Sequence, residues 1–271
     1  MDRLKVLFKK LGFTDTQYNN IINDPGVTLK SSTLYENFVN NVTLFLDNGY
    51  KKKDIVRLVF SNHNLTYLNL NKKIEMFSRF GYDQEAFFKM LKKSAKLVNL
   101  GEQNLNDSLD NFNKLGYSSE VIYKMTIVHP ALFSYSVERV KTRIKELEYC
   151  GYNRDEVLKL TCDYPAIFGS DAETLNRKLR YYNLIGLHEY ILERPKDLIQ
   201  SVELTYARYN FFRDSDMEMN KTNMQSLFKR EEAFKKQYGF SNKGLLAIYR
   251  FSNYESCVKG KTKIKENDYV Q

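Results

Sequence analysis

The sequence contains no tryptophan, only four prolines, three histidines and three cysteines in 271 residues. Without tryptophan, the tetratricopeptide signature cannot be written. Cys150, Cys162 and Cys257 are odd in number and lack CxxC spacing, which argues against a disulfide framework or a zinc site and for reduced thiols. His63, His129 and His188 lie far apart and none has HExxH-type spacing, so no metal site and no catalytic histidine is expected. No apolar run reaches transmembrane length. The opening "MDRLKVLFKKLGF" carries neither a secretory h-region nor an Arg/Ser-rich, acid-poor transit pattern. With no targeting segment visible, the expected compartment is a bacterial cytoplasm or an organelle matrix. No phosphate-binding glycine loop, nucleophile elbow, metal-ligand cluster or carboxylate pair is present, so neither an enzyme nor a cofactor is expected.

What the chain does have is positive charge and repetition. Lys and Arg number 42 against 33 acids, a formal net charge of +9, which permits attraction to a polyanion. Gly-aromatic pairs stand at Gly12-Phe13, Gly49-Tyr50, Gly81-Tyr82, Gly116-Tyr117 and Gly151-Tyr152, and Gly186-Leu187 continues them, at spacings of 37, 32, 35, 35 and 35 residues. Upstream of each glycine the same apolar stripe recurs: Leu70, Ile74, Phe77 and Phe80; Leu105, Leu109, Phe112 and Leu115; Val140, Ile144, Leu147 and Cys150; Leu175, Leu179, Tyr182 and Ile185. Steps of four, three and three trace one face of a helix, and glycine is the residue that ends a helix in the left-handed conformation without steric cost.

A second helix follows each glycine. Its cap candidates are Thr14, Asp83, Ser118 and Asn153, two of them with capping-box partners at Gln17 and Glu156. Pro130, Pro165 and Pro195, with Pro25 as a fourth candidate, end that helix, because proline and the residue before it both leave the helical region. A short apolar turn and a new cap follow: Ser136, Ser201, and Ser170 with Glu173 as a capping box. Each unit therefore reads helix, turn, helix, glycine stop, and strand alternation is absent. The reading is an all-α solenoid of about six repeats over residues 1–213, a helical cap over 214–251 and a polar tail, expected to be disordered, at 252–271.

The segments "HPALFSYSVERVKTR" (129–143), "YPAIFGSDAETLNRK" (164–178) and "RPKDLIQSVELTYAR" (194–208) resemble the mTERF (mitochondrial transcription termination factor) repeat. The resemblance covers most of residues 1–213 and is weakest at "SNHNL" (61–65) and "KSAKLVNL" (94–100), where the turn proline is missing. It implies two helices and a short 3₁₀ turn per unit, a half-ring superhelix, and binding of DNA or RNA in transcription, its termination or RNA processing. "DIVRLVFSN" (54–62) followed by a helix and "FGY" is similar to a TAL-effector-like repeat, also a DNA binder.

Overlaying the units brings out two basic rows. Eight residues past the glycine stand Arg57, Lys89, Lys124, Lys159 and Arg194, on the solvated side of the first helix. Glu85, Glu120 and Asp155 precede the three lysines by four residues, the spacing of an ordinary surface ion pair. Eight residues before the glycine stand Lys73, Arg143 and Lys178, interrupted by Ser108, with Arg208 aligned through its shared Ser-Val-Glu cap. This second row borders the apolar stripe, so its stems can pack while the charged heads reach out. Its two readings are contact with phosphate and satisfaction of a neighbouring repeat's helix-end carbonyls. The function read from the sequence is non-covalent binding of nucleic acid, duplex DNA ahead of RNA, with all nine residues as candidate contacts and no membrane partner. The alternative is a scaffold holding a protein or peptide on the concave face.

Overall fold

The computed structural model describes residues 3–28 and 31–251; the polar tail and Cys257 lie outside them. Their regular structure is entirely helical. The first stretch holds α1 (Arg3–Leu11), α2 (Asp15–Ile22), α3 (Pro25–Thr28), α4 (Ser31–Asp47), α5 (Lys52–Ser61) and α6 (Leu70–Ser78). Then come α7 (Gln84–Lys93), α8 (Glu102–Lys114), α9 (Ser119–Val128), α10 (Val137–Tyr149), α11 (Arg154–Asp163) and α12 (Ala172–Leu184). Last are α13 (His188–Glu193), α14 (Val202–Asp214), α15 (Lys221–Leu227), α16 (Glu231–Tyr238) and α17 (Asn242–Ile248). No helix among the described residues is long and apolar enough to cross a membrane. Contacts divide the chain into two compact units: residues up to 145 with 157–169, and 146–156 with residues from 170 onward.

The repeat unit is a first helix (α2, α5, α7, α9, α11, α13), a short turn, and a second helix (α4, α6, α8, α10, α12, α14). From α5 on, the turn is a 3₁₀ helix: His63–Thr66, Ala95–Asn99, Pro130–Ser134, Pro165–Gly169 and Pro195–Ile199. The first two form without proline. At 62 an asparagine takes over, its side chain accepting from the Asn64 N–H and donating to the Ala95 carbonyl at 2.8 Å. Ser94 leaves the helix by an extended backbone alone.

Every second helix ends in the same way. Gly49, Gly81, Gly116, Gly151 and Gly186 all have positive φ, as does Gly12 after α1. At Gly186 the glycine N–H donates to the Asn183 carbonyl and the Leu187 N–H to that of Tyr182, satisfying carbonyls the helix leaves open. The same pair of bonds closes α14, where Asp216 donates to Arg213 and Met217 to Phe212. Asp216 has φ +53 and is the one non-glycine residue among those described with positive φ. The cadence that breaks in sequence after residue 213 therefore continues in the backbone for one more stop.

The caps follow expectation at Thr14, Asp83, Ser118, Asn153, Ser136 and Ser201. One differs: α12 is capped by Asp171, which accepts from the Thr174 N–H, and not by Ser170. The carboxylate one residue on is the stronger acceptor for a helix N-terminus.

The apolar stripes form the core. Phe38, Phe45, Phe77, Leu105, Leu147, Leu179 and Tyr182 are fully buried, each worth about 1.5–3 kcal/mol relative to exposure. The tyrosine after the glycine packs inward as well. Tyr82 shares a 2.8 Å hydrogen bond with Thr126, and Tyr117 a 2.7 Å bond with Thr161, each 44 residues on. These two tyrosines thus tie their units to later first helices, α9 and α11. At the other end Phe212 packs on Phe234 and Tyr238, seating α16 against α14.

Candidate nucleic-acid interface

The two basic rows meet different fates. In the first, Arg57, Lys89, Lys124, Lys159 and Arg194 are all exposed. For the four within helices the position follows from helical periodicity, since the buried residues of α7 and α9, Phe87 and Met90, Ile122 and Met125, lie on the opposite face; Arg194 directly follows α13. Lys89 and Lys124 line one shallow groove of about 310 Å³ with Asp83, Glu85 and Tyr123.

Acids accompany most of this row. Lys89 bonds Glu85 and Lys124 bonds Glu120, both at 2.7 Å, and each glutamate raises its lysine's pKa. Arg194 bonds Asp197 at 2.9 Å, which raises its pKa too; Arg57 lies 3.7 Å from Asp54. The lysine, Arg57 and Arg194 side chains keep between 51% and 63% of their exposure, so water screens the pairs. An exposed helical pair is worth only about 0.2–0.5 kcal/mol, which a phosphate can readily displace.

The second row points into the protein. Lys73 Nζ donates to the Leu100 carbonyl at 2.7 Å, and Lys178 Nζ to the Leu198 carbonyl at 2.8 Å. Burial lowers the pKa of both. Arg143 is 6% exposed and Arg208 not exposed at all. The Arg208 guanidinium donates to the Leu227 and Lys229 carbonyls at 2.8 and 2.7 Å and to Asn242 Oδ1 at 2.8 Å, and lies 4.2 Å over the Phe234 ring. Burial brings its pKa down to about 10.

For Lys73, Lys178 and Arg208 this is the geometry of carbonyl satisfaction, the second of the two readings the sequence offered. For the two lysines the acceptor sits at the end of the following unit's turn, because the position eight residues before the glycine packs against that turn; for Arg208 the acceptors lie at the end of α15. The row also begins one unit earlier than the cations do. Asn41 lies eight residues before Gly49, is 1% exposed, and donates to the Leu65 and Leu68 carbonyls at 2.9 and 2.7 Å. Counting back from Gly49 finds it; reading only for charge does not. Ser108 is too short to make the same reach, and an open groove of about 650 Å³ lies beside it, lined by Asn62, Asn99, Asn104 and Asn111 together with Leu100 and Phe133.

No curated protein matches the sequence. The sequence model of one family does, over residues 6–145 and 40–235, most of the chain and every repeat described above. The chain belongs to the mTERF family.

Proposed function

We propose that the protein binds nucleic acid, duplex DNA ahead of RNA, and acts in transcription or its termination by binding alone, without covalent chemistry. One observation carries the reading: an exposed cation recurs eight residues past the stop glycine in five consecutive units, at Arg57, Lys89, Lys124 and Lys159 within first helices and at Arg194 directly after the short α13. Membership of the mTERF family and the net charge of +9 support it. In this reading the five cations neutralise phosphates, and the inward-pointing row of half-buried Lys73 and Lys178 with buried Arg143 and Arg208 holds the units that carry them. Phosphate contact fixes register, while any sequence preference would come from neighbouring polar side chains.

Binding of labelled duplex DNA, single-stranded DNA and RNA across a salt series tests this. Affinity should fall steeply with salt, with the log–log slope shrinking by about 0.9 for each duplex contact removed. Neutralising Lys89, Lys124 and Lys159 together to Gln should reduce the slope by roughly 2.7 without changing stability by more than about 0.5 kcal/mol each. A wild-type affinity indifferent to salt would refute nucleic-acid binding. An unchanged slope in the triple variant would refute the row.

A further inference from the structure

We propose that Glu156, His188 and Glu189 form a site for a divalent transition-metal ion of the zinc type. Among the described residues they are the one group whose ligand atoms all lie close enough to share an ion, within 4.8 Å of one another. The arrangement starts from two helix N-termini. Glu156 is the capping-box acid of α11, and its Oε2 accepts from the Asn153 N–H at 2.8 Å. That bond leaves Oε1 aimed at His188 Nε2, 3.2 Å away. His188 and Glu189 open α13.

The imidazole is held on its remaining sides. Its face stacks on Tyr152, with centroids 4.4 Å apart and planes 19° from parallel. Nδ1 lies 3.3 Å from Asn183 Oδ1. The Asn183 amide is oriented by its own donation from Nδ2 to the Cys150 carbonyl at 2.6 Å, so the oxygen faces the ring. Nδ1 therefore carries a hydrogen and donates it, which leaves Nε2, directed at Glu156, as the ring nitrogen that a metal ion or a proton can occupy. This is the arrangement by which metal-ligating histidines are fixed in tautomer and orientation.

A lone pair on Nε2 facing a carboxylate oxygen at 3.2 Å is repulsive unless something positive lies between them. Tetrahedral zinc, with bonds of about 2.0–2.1 Å, places its ligand atoms about 3.3 Å apart, close to the gap already present. Glu189 is exposed and able to close the remaining distance. Glu156 and His188 are half-buried, so water would complete the coordination and leave an open position. A proton on Nε2 is the competing occupant. Because Glu156 lies 32 residues before the adjacent His188 and Glu189 and no spacing motif joins them, a motif search passes over them.

Titration of the full-length chain with Co²⁺, read by visible absorption and followed by Zn²⁺ displacement, decides between the two. The expected result is one saturable equivalent per chain, no sulfur-to-metal charge transfer, and affinity at least about tenfold weaker in both His188→Gln and Glu189→Gln. Glu189 is exposed, so its variant tests the site even if His188→Gln unfolds. Absence of saturable binding, cysteine charge transfer, or a Glu189→Gln variant that binds like wild type would overturn the assignment. So would an imidazole NMR spectrum showing His188 protonated at both nitrogens and unchanged by metal.

Discussion

Arg57 and Arg208 are the same residue type, and each was a candidate for phosphate contact. What separates them is where the neighbouring backbone ends. Arg57 has water around it and one aspartate 3.7 Å away. Arg208 meets a set of carbonyls at the end of α15 that have no helical partner, and its planar five-donor head can serve several at once. Burying a cation is expensive, and both terminal nitrogens are used, while the guanidinium plane lies over the Phe234 ring. Replacing Arg208 with Ala leaves the Lys229 carbonyl without this donor and the Leu227 carbonyl with only Gln200, and should cost about 3–4 kcal/mol in urea unfolding, whereas Arg57→Ala should stay within about 0.5 kcal/mol. In nucleic-acid binding the order should reverse: Arg57→Ala lowers the salt slope, and Arg208→Ala leaves it unchanged wherever the protein is still folded. Equal stability losses in the two variants would contradict this division of labour.

At the scale of the element, the recurring device is the helix stop. Its cost is set by the residue that must adopt a positive φ. Gly186 does so freely and a Cβ added there meets nothing within 4 Å, so Gly186→Ala isolates the backbone term and should destabilise by about 1–2 kcal/mol. Asp216 already bears that strain, eased by the tolerance of aspartate for the left-handed region. Asp216→Gly should raise stability by about 0.5–1 kcal/mol, a shift readable in Tm; a loss would mean the aspartate side chain holds a contact that offsets its strain. The contrast explains what the sequence discloses. Glycine stops, apolar stripes and proline turns are local, so they can be read from spacing. The stop at Asp216 and the turns at Asn62 and Ser94 use residues that only sometimes take those roles, and Ser170 yields its cap to a carboxylate one position on. The direction of Lys73 and Lys178 is less legible still, because it depends on carbonyls 27 and 20 residues away. Exposure of the first row could be read from one helix's own periodicity; burial of the second could not.

At the scale of the whole molecule, side-chain hydrogen bonds among the described residues join units that are near in sequence, as from Tyr82 to Thr126 and from Tyr117 to Thr161, each spanning 44 residues. A repeat protein wired this way has stability that is a sum of unit terms and neighbour terms, so damage should stay local instead of melting everything at once. Hydrogen exchange is the measurement that resolves it, since it reports opening free energy segment by segment. In Arg208→Ala, protection should fall in α14 and in α15 to α17, whose carbonyls and aromatic packing depend on that guanidinium, and should be retained in α5 to α7. Glycine substitution at Gly49 or Gly81 should give the converse pattern, with loss in α4 to α7 and protection kept in α14. If either variant lost protection evenly from α4 to α17, the chain would be one cooperative block. The cations of the first row would then be coupled through the whole fold, and the near-neighbour hydrogen bonds that join the units would not be what limits its opening.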